Sequence, residues 1–295
     1  MSERDRYIPG VPCWIDTTQP DPEAAVAFYK ELFGWEFEDV MPPESPGRYF
    51  IGRIRGGDVA AVGSQPEGGA QPAVWNTYVW VEDAGATADK VLAAGGTVLM
   101  EPGEVGADSG RMAVFADPAG AAFCVWQPNA HRGATVVNEH GALNFNDLYT
   151  RDLEGATAFY GAVFGWEVLD LDRNSAWVLP GYGDLLEQLN PGTRERMAAM
   201  GAPERFEDVV ASLQLIPGDQ PDLPPHWGVT FGVDDADAIA ARAAELGGRV
   251  VVPPFDAPWV RLTMISDPQG ATFMASKFVP ENSDVAGSAG ATAGT

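Results

Sequence analysis

The sequence predicts an α+β fold, built as four β-α-β-β-β units in two tandem halves, and three observations predict it. First, AFYKELFGWE at 27–36 returns as AFYGAVFGWE at 158–167, a displacement of 131 residues. Second, VEDA at 81–84 returns as VDDA at 233–236, and Asp117-Pro118-x-Gly120 returns as Asp267-Pro268-x-Gly270, displacements of 152 and 150. Third, 295 residues suit two domains at roughly 150 residues each. The change from 131 to 152 implies an insertion of 21 residues in the second half. It is expected within 190–225, where NPGTRERMAAMGAPERFEDVV reads as helix bounded by Pro-rich turns.

The elements follow in order. In the first unit a short strand leads to Asp21, placed to cap a helix. Pro22 suits the first helical position, Ala25, Phe28 and Leu32 share a face, and Gly34 ends the helix. The second unit opens with a strand at 75–81, continues as a helix from Asp83 to Ala94, stops at Gly95-Gly96, and closes with strands at 111–115 and 122–127. Units three and four repeat the pattern, with helices after Asp152 and Asp234 and a stop at Gly247-Gly248. The expected domains are 8–128 and 142–279, joined by a linker at 129–141, and 280–295 reads as a disordered tail of small and polar residues.

Charge narrows the function. Eighteen Lys and Arg stand against 42 Asp and Glu, a formal net charge of −24, and Lys30, Lys90 and Lys277 are the only lysines. Such a surface repels phosphate backbones and anionic lipid, so neither nucleic acid nor membrane is an expected partner. The N-terminus has no apolar stretch like a signal-peptide core, and nowhere do eighteen apolar residues run together; a cytoplasmic protein is expected. Cys13 and Cys124 make neither a CxxC motif nor a disulfide framework and read as free thiols. No phosphate loop, nucleophile elbow, HExxH or strand-linked GxGxxG is present, so no nucleotide cofactor is implied.

Four such units, with FYxxxFGW at the first helix and DPxG before the last strand, resemble the glyoxalase, bleomycin-resistance and extradiol-dioxygenase superfamily, also called vicinal oxygen chelate proteins, over about residues 10–279. The resemblance implies that paired units curve into two open, mixed-sheet barrels with helices outside and a ligand in the concavity. It also implies a divalent metal held by His and Glu on corresponding strands. This sequence departs from that pattern: Trp14, Phe145, Asn76, Gly228, Cys124 and Met274 stand at the positions implied for ligands. Glu187, in DLLEQ, is the one carboxylate that can reach a fourth position, its register open, and His131, His140 and His226 are scattered. A catalytic hard-metal site wants about three or more N/O ligands, so no metal and no cofactor is expected.

Strand alternation lines the cavities instead. If Trp14 points inward, so do Asp16 and Thr18; likewise Phe145, Asp147 and Tyr149. Asn76, Tyr78, Trp80, Cys124 and Trp126 join the first cavity, and Gly228, Thr230, Met274 and Ser276 the second, with His226 near its mouth. Trp227 and Trp259 flank the last strands as ligand candidates, Trp259 in the loop PPFDAPWVR, whereas Trp35 and Trp166 are expected to seal helices against sheets. Aromatic walls with a few polar groups suit a flat organic ligand. A carboxylate beside an aromatic ring and away from water has its charged form disfavoured, so Asp16 and Asp147 are the first catalytic candidates, with His226 as a base; pairing of the carboxylates with Arg111 or Arg261, or turn capping, is the alternative.

Three functions remain open. One is a metal-independent acid/base enzyme of isomerase, lyase or cyclase type acting on an aromatic or polyketide-like metabolite. Another is a non-catalytic protein sequestering a planar drug, and a third is a structural partner whose cavity is filled by its own side chains. Four units form a pseudo-dimer, so monomer or homodimer is feasible. The insertion favours the second half for a gated site.

Overall fold

The computed structural model describes residues 6–65, 72–106, 108–171, 175–283 and 285. The first half comprises β1 (Pro12–Gln19), α1 (Pro22–Phe33), β2 (Glu36–Asp39), β3 (Tyr49–Ile54) and β4 (Gly57–Ser64), then β5 (Val74–Trp80), α2 (Ala84–Ala93), β6 (Thr97–Val105), β7 (Gly110–Ala116) and β8 (Ala122–Pro128). The second half comprises β9 (Leu143–Thr150), α3 (Leu153–Phe164), β10 (Glu167–Asp170), β11 (Ser175–Val178), α4 (Tyr182–Leu189), α5 (Thr193–Ala199) and β12 (Val209–Leu215). It closes with β13 (His226–Gly232), α6 (Ala236–Glu245), β14 (Arg249–Ala257), β15 (Val260–Ser266) and β16 (Thr272–Phe278).

Four helices begin the same way. Asp21, Asp83, Asp152 and Asp235 each accept a hydrogen bond from a backbone N–H three residues on, at 2.8–3.0 Å. The cap of α6 is therefore Asp235 and not its neighbour Asp234. Gly34 and Gly165, at φ 72° and 74°, end α1 and α3 in the left-handed conformation that glycine adopts without strain.

Each half folds into one eight-stranded, open, mixed sheet, in the orders β2-β3-β4-β1-β5-β8-β7-β6 and β10-β11-β12-β9-β13-β16-β15-β14. Consecutive units join antiparallel through β1–β5 and β9–β13, while the fourth strand of each unit lies parallel to its first. One face of each sheet is concave, and the helices cover the other.

Those helices form the layer between the two halves. Phe28, Tyr29 and Phe33 of α1 pack in one core with Phe231 of β13, Phe273 of β16 and Ile239 of α6. Phe159, Tyr160 and Val163 of α3 pack in another with Phe115, Phe123 and Val125 of the first sheet. Polar groups inside this layer are paired across the halves. The Tyr29 hydroxyl donates to Asp267 at 2.9 Å, joined by the Gln19 amide at 2.7 Å, and the Tyr160 hydroxyl donates to Asp117 at 3.1 Å. The other oxygen of each carboxylate accepts two backbone N–H groups of its own DPxG turn, all at 2.9 Å. The tryptophans of the FGW motifs also cross over: Trp35 donates to the Gly141 carbonyl and Trp166 to that of Gly10. Both repeated motifs thus serve one joint.

The insertion departs from its expected range of 190–225. It lies between β11 and β12, where the helical turn begins at Tyr182 behind Gly181 (φ 89°), and the alternating stretch Val209–Leu215 is strand β12. Four prolines within 216–225 make that stretch the connection to β13. Most of the expected tail falls outside the described residues; its beginning, Pro280–Asn282, is a single turn of 3-10 helix.

Replacing Tyr29 or Tyr160 by Phe removes one donor from a buried carboxylate and keeps the ring packing. Each variant is expected to lose about 1–3 kcal/mol of stability at neutral pH, seen in urea titrations as a lower midpoint with an unchanged slope; an unchanged midpoint would show that the joint does not depend on these bonds.

Candidate functional site

The first concavity is filled by its own side chains. Register pairs Trp14 with Tyr78, Asp16 with Asn76, and Tyr78 with Cys124, so all five share the inner face, and Trp80 pairs with Trp126 two residues on. Trp14, Tyr78, Cys124 and Trp126 are buried in one cluster with Ile51 and Ala61. The connecting segment supplies a stopper: the His131 ring lies 4.5 Å from Trp14 and 5.8 Å from Trp126, edge to face, and its carbonyl accepts from Trp126 Nε1 at 2.8 Å. Tyr7 stacks on Trp80 at 5.9 Å, and α4 packs Tyr182 and Leu185 into the same cluster.

Asp16 sits inside this packing, 4% exposed. Tyr49 and Tyr78 donate their hydroxyls to Oδ2 at 3.0 and 2.8 Å, Asn76 donates to Oδ1 at 2.8 Å, and Trp14 Nε1 donates to the Tyr49 oxygen at 3.1 Å. Burial pushes the Asp16 carboxyl above the ordinary carboxylate value, against the lowering effect of its three donors. It also pushes up the Cys124 thiol, with the Asp16 charge adding to it, which leaves Cys124 a wall residue and no nucleophile.

The second concavity has the same framework with smaller side chains. Strand register places Gly228, Thr230 and Gly232 where the first half has Asn76, Tyr78 and Trp80, and Met274 and Ser276 where it has Cys124 and Trp126. Three aromatic rings are missing from the equivalent walls. Phe145, Tyr149, His226 and Met274 are accordingly only half-buried, each on the inner face. Tyr149 and His226 lie side by side as a stacked pair, 4.7 Å between ring centres and 6° between planes. His226 Nδ1 contacts the Pro224 carbonyl at 2.8 Å, which fixes the ring.

Asp147 lies on the floor, 8% exposed. Thr230 donates its hydroxyl to Oδ2 at 2.6 Å and Ser212 to Oδ1. Burial raises its carboxyl above the ordinary value, opposed by these two hydroxyls and by the positive field of His226. The rim is completed by Trp259, in the β14–β15 turn at φ 67°. Its ring stacks parallel to Phe278 at 6.4 Å and lies against Gly201, which follows α5, so the insertion meets the far side of the barrel there.

The structure separates the expected site residues into two groups and removes one. Trp14, Asp16, Asn76, Tyr78, Trp80, Cys124 and Trp126 gather in the filled barrel; Phe145, Asp147, Tyr149, His226 and Met274 gather in the open one, with Trp259 at its rim. Trp227 is the correction. It follows inward-facing His226, so alternation turns it to the helix layer, where it is buried and donates to the Tyr160 hydroxyl at 2.9 Å. Arg111 and Arg261 pair with Glu104 and Asp237, away from both carboxylates. Tyr49 and Ser212 were not singled out in the sequence; each reaches its aspartate from a strand distant in sequence.

A metal does not fit the residues present. Among the described residues no group of three or more His, Cys, Asp or Glu is assembled. Glu187 accepts the Gly192 and Arg194 N–H groups at 2.6 and 3.1 Å, a local brace of the insertion that holds its carboxyl below the ordinary value. The donors that do converge, hydroxyls of Tyr, Ser and Thr around single carboxylates, are poor ligands for a catalytic divalent ion.

The sequence model of the Glyoxalase/Bleomycin resistance protein/Dioxygenase superfamily matches residues 14–125 and 142–275. The chain belongs to that superfamily. It is 40% identical over 284 residues to "Putative glyoxylase CFP32" of Mycobacterium tuberculosis, covering 95% of this chain and 100% of the relative. It is 36% identical over 281 residues to the anthracycline biosynthesis protein DauV of Streptomyces sp. strain C5, covering 91% and 93%. Among solved structures, the Mn(II)-bound glyoxalase of Novosphingobium aromaticivorans shares the fold at a TM-score of 0.57 with 16% identity, over 92% of this chain and 83% of that one. Among the described residues no helix is long and apolar enough to cross a membrane.

Asp16 allows a test of the filled barrel. Its raised value means that, as pH climbs above about 4, the unfolded chain releases this proton before the folded one does, so wild-type stability drains over that interval. Asp16→Asn has no such loss and is expected to gain stability relative to wild type between pH 4 and 7 in paired urea titrations. A pH-independent difference would mean that Asp16 is not held in its neutral form.

Proposed function

We propose that the second barrel binds a flat, polyketide-type aromatic molecule and that Asp147 moves a proton on it without a metal. The observation that carries this reading is a buried carboxyl, its value raised by desolvation, on the inner face of the second sheet, where Phe145, Tyr149, His226 and Met274 are only half-buried and three rings of the first barrel have no counterpart. Relationship to an anthracycline biosynthesis protein over almost the whole chain supports the ligand class.

The chemistry follows from the groups present. A carboxyl lifted toward neutrality exchanges its proton in both directions, which ordinary surface carboxylates do poorly. In its charged form Asp147 removes a proton from a carbon next to a ring carbonyl; in its neutral form it returns that proton to a different atom of the same enolate. The sum is an isomerisation; where the enolate carbon instead attacks a second carbonyl of the same molecule, the carbonyl π bond breaks to an alkoxide, neutral Asp147 gives that oxygen the proton, and the sum is an aldol-type cyclisation. Ser212 and Thr230 hold the carboxylate in place and stabilise its charge, each through one hydroxyl. Tyr149 and His226 provide the plane on which the ligand rests, and the His226 imidazole is positioned to share a proton with a ligand oxygen. Non-catalytic sequestration remains the second reading, favoured by the net charge of −24, which draws a cationic drug.

Hydrogen–deuterium exchange at the carbon between ring and carbonyl of 2-tetralone, followed by NMR, tests the first reading. Asp147→Asn is expected to lower the protein-catalysed exchange at least about 100-fold while the affinity for the ketone, from tryptophan fluorescence, changes less than about threefold. Asp16→Asn is expected to leave exchange intact. Absence of catalysed exchange by the wild type, with tight binding retained, would favour sequestration.

A further inference from the structure

Charge inside the open barrel has a pattern of its own. The second half carries several arginines; of those described, Arg249 is exposed at the start of edge strand β14 and is not among the groups that shift Asp147, Arg196 donates to the carbonyls of Asn190 and Pro191, and the rest are committed elsewhere. Arg194 pairs with Asp184 and Glu207, Arg205 with Glu167, Arg242 with Glu31, and Arg261 with Asp237, while Arg151 reaches carbonyls of the loop before β13 at Pro217 and Leu223. Lys277 neighbours inward-facing Ser276 on β16 and so lies on the opposite face, opposite Arg261 in register. The positive group whose field reaches Asp147 is the His226 imidazole. Among the described residues the floor therefore offers a carboxyl and hydroxyls, and no guanidinium or ammonium acts on its carboxyl. The stacked Tyr149–His226 pair, with planes 6° apart, supplies a flat platform at the mouth.

Resting on the ligand site proposed above, we infer that the second concavity selects flat guests that are neutral or positively charged and rejects those bearing a carboxylate, sulfonate or phosphate group. An anion brought in here meets Asp147 across a medium poorer in water than the surface, with no guanidinium or ammonium among the described residues placed to compensate. The chain's charge of −24 adds a repulsion that salt screens, whereas the local term persists. A neutral guest keeps hydrogen bonding with the floor, and a cation pairs with the Asp147 carboxylate. The anchor is chemical and not a fit to one scaffold, so the preference should hold across flat ligands of different outline.

Three anthraquinones of one shape test it: the 2-hydroxymethyl, 2-aminomethyl and 2-sulfonate forms, titrated into the full chain by tryptophan fluorescence at about 0.01 and about 0.5 M salt, about a sevenfold change in screening length. The neutral and cationic forms are expected to bind, with the sulfonate at least about tenfold weaker at both salt concentrations. Asp147→Asn is expected to recover most of that tenfold loss. Ser276→Trp and Thr230→Tyr, which place ring systems of the filled barrel in the open one, should each abolish binding of the neutral form; having two guards against one misfolding, checked by circular dichroism. A sulfonate that binds as tightly as the neutral form, and is lost in either filling variant, overturns the charge preference and leaves the site standing. Failure of all three probes, or binding insensitive to both filling variants, overturns the site itself and this inference with it.

Discussion

The exchange of Tyr–Asp hydrogen bonds between the halves governs how the rest of the molecule is arranged. Tyr29 belongs to the first repeat and Asp267 to the last, and Tyr160 and Asp117 reverse the exchange. Each aspartate also organises its own DPxG turn through two backbone N–H groups. One carboxylate therefore shapes a turn and fastens the opposite half, and neither function can change without the other. Burial raises the Asp117 carboxyl, opposed by its turn N–H groups and by Tyr160, so loss of the tyrosine hydroxyl leaves desolvation less compensated. The aromatic rings around these pairs, with Tyr29 and Tyr160 each touching several others, add shape to the joint.

The helix faces of both sheets are used in that joint; the concave face of the first sheet also takes in α4 of the second half, through Tyr182 and Leu185. The concave faces have been free to diverge after duplication. In the first barrel the space is occupied by Trp14, Tyr78 and Trp126, with His131 from the connecting segment between two of them. The second lacks the equivalent rings. The aspartate is kept in both, but its donors differ: Tyr49, Tyr78 and Asn76 in the first, Ser212 and Thr230 in the second. Short hydroxyl side chains hold the same carboxyl while leaving volume above it, whereas tyrosines that reach the same oxygen fill that volume with their rings. The choice of donor thus decides whether a barrel stores a buried acid or presents one.

Much of this was legible in the sequence, for physical reasons that also mark where legibility ends. The repeats and the four helix starts were readable because capping needs Asp at a fixed offset, and FYxxxFGW and DPxG were conspicuous because the joint needs both. Alternation placed Asp16 and Asp147 on the inner faces because a strand's period of two is local. The partners Tyr49 and Ser212 were not legible: Ser212 stands on β12, which meets β9 by parallel pairing, and Tyr49 stands on β3, which reaches Asp16 across β4, itself parallel to β1; these pairings are set by the whole unit and not by nearby residues. Trp227 was read as flanking a strand, whereas it lies within β13, which His226 begins, and alternation turns it outward. The insertion was sensed as a length difference, but its helix starts earlier because the leucine-rich turn after Gly181 forms before the charged stretch that attracted notice.

The same separation of joint from cavity explains why the open barrel can carry an acid with so little around it. A desolvated carboxyl costs stability, and a lone domain would have to offset that cost with its own core. Here the cost falls in a face that contributes nothing to docking, beside a joint with two aromatic cores and paired carboxylates. Asp147 keeps a raised value because burial outweighs its two hydroxyl donors and the His226 field. Adding an arginine to the floor would lower that value and attract anions at the same time, so the proton transfer and the selection against anionic guests proposed above rest on the same feature.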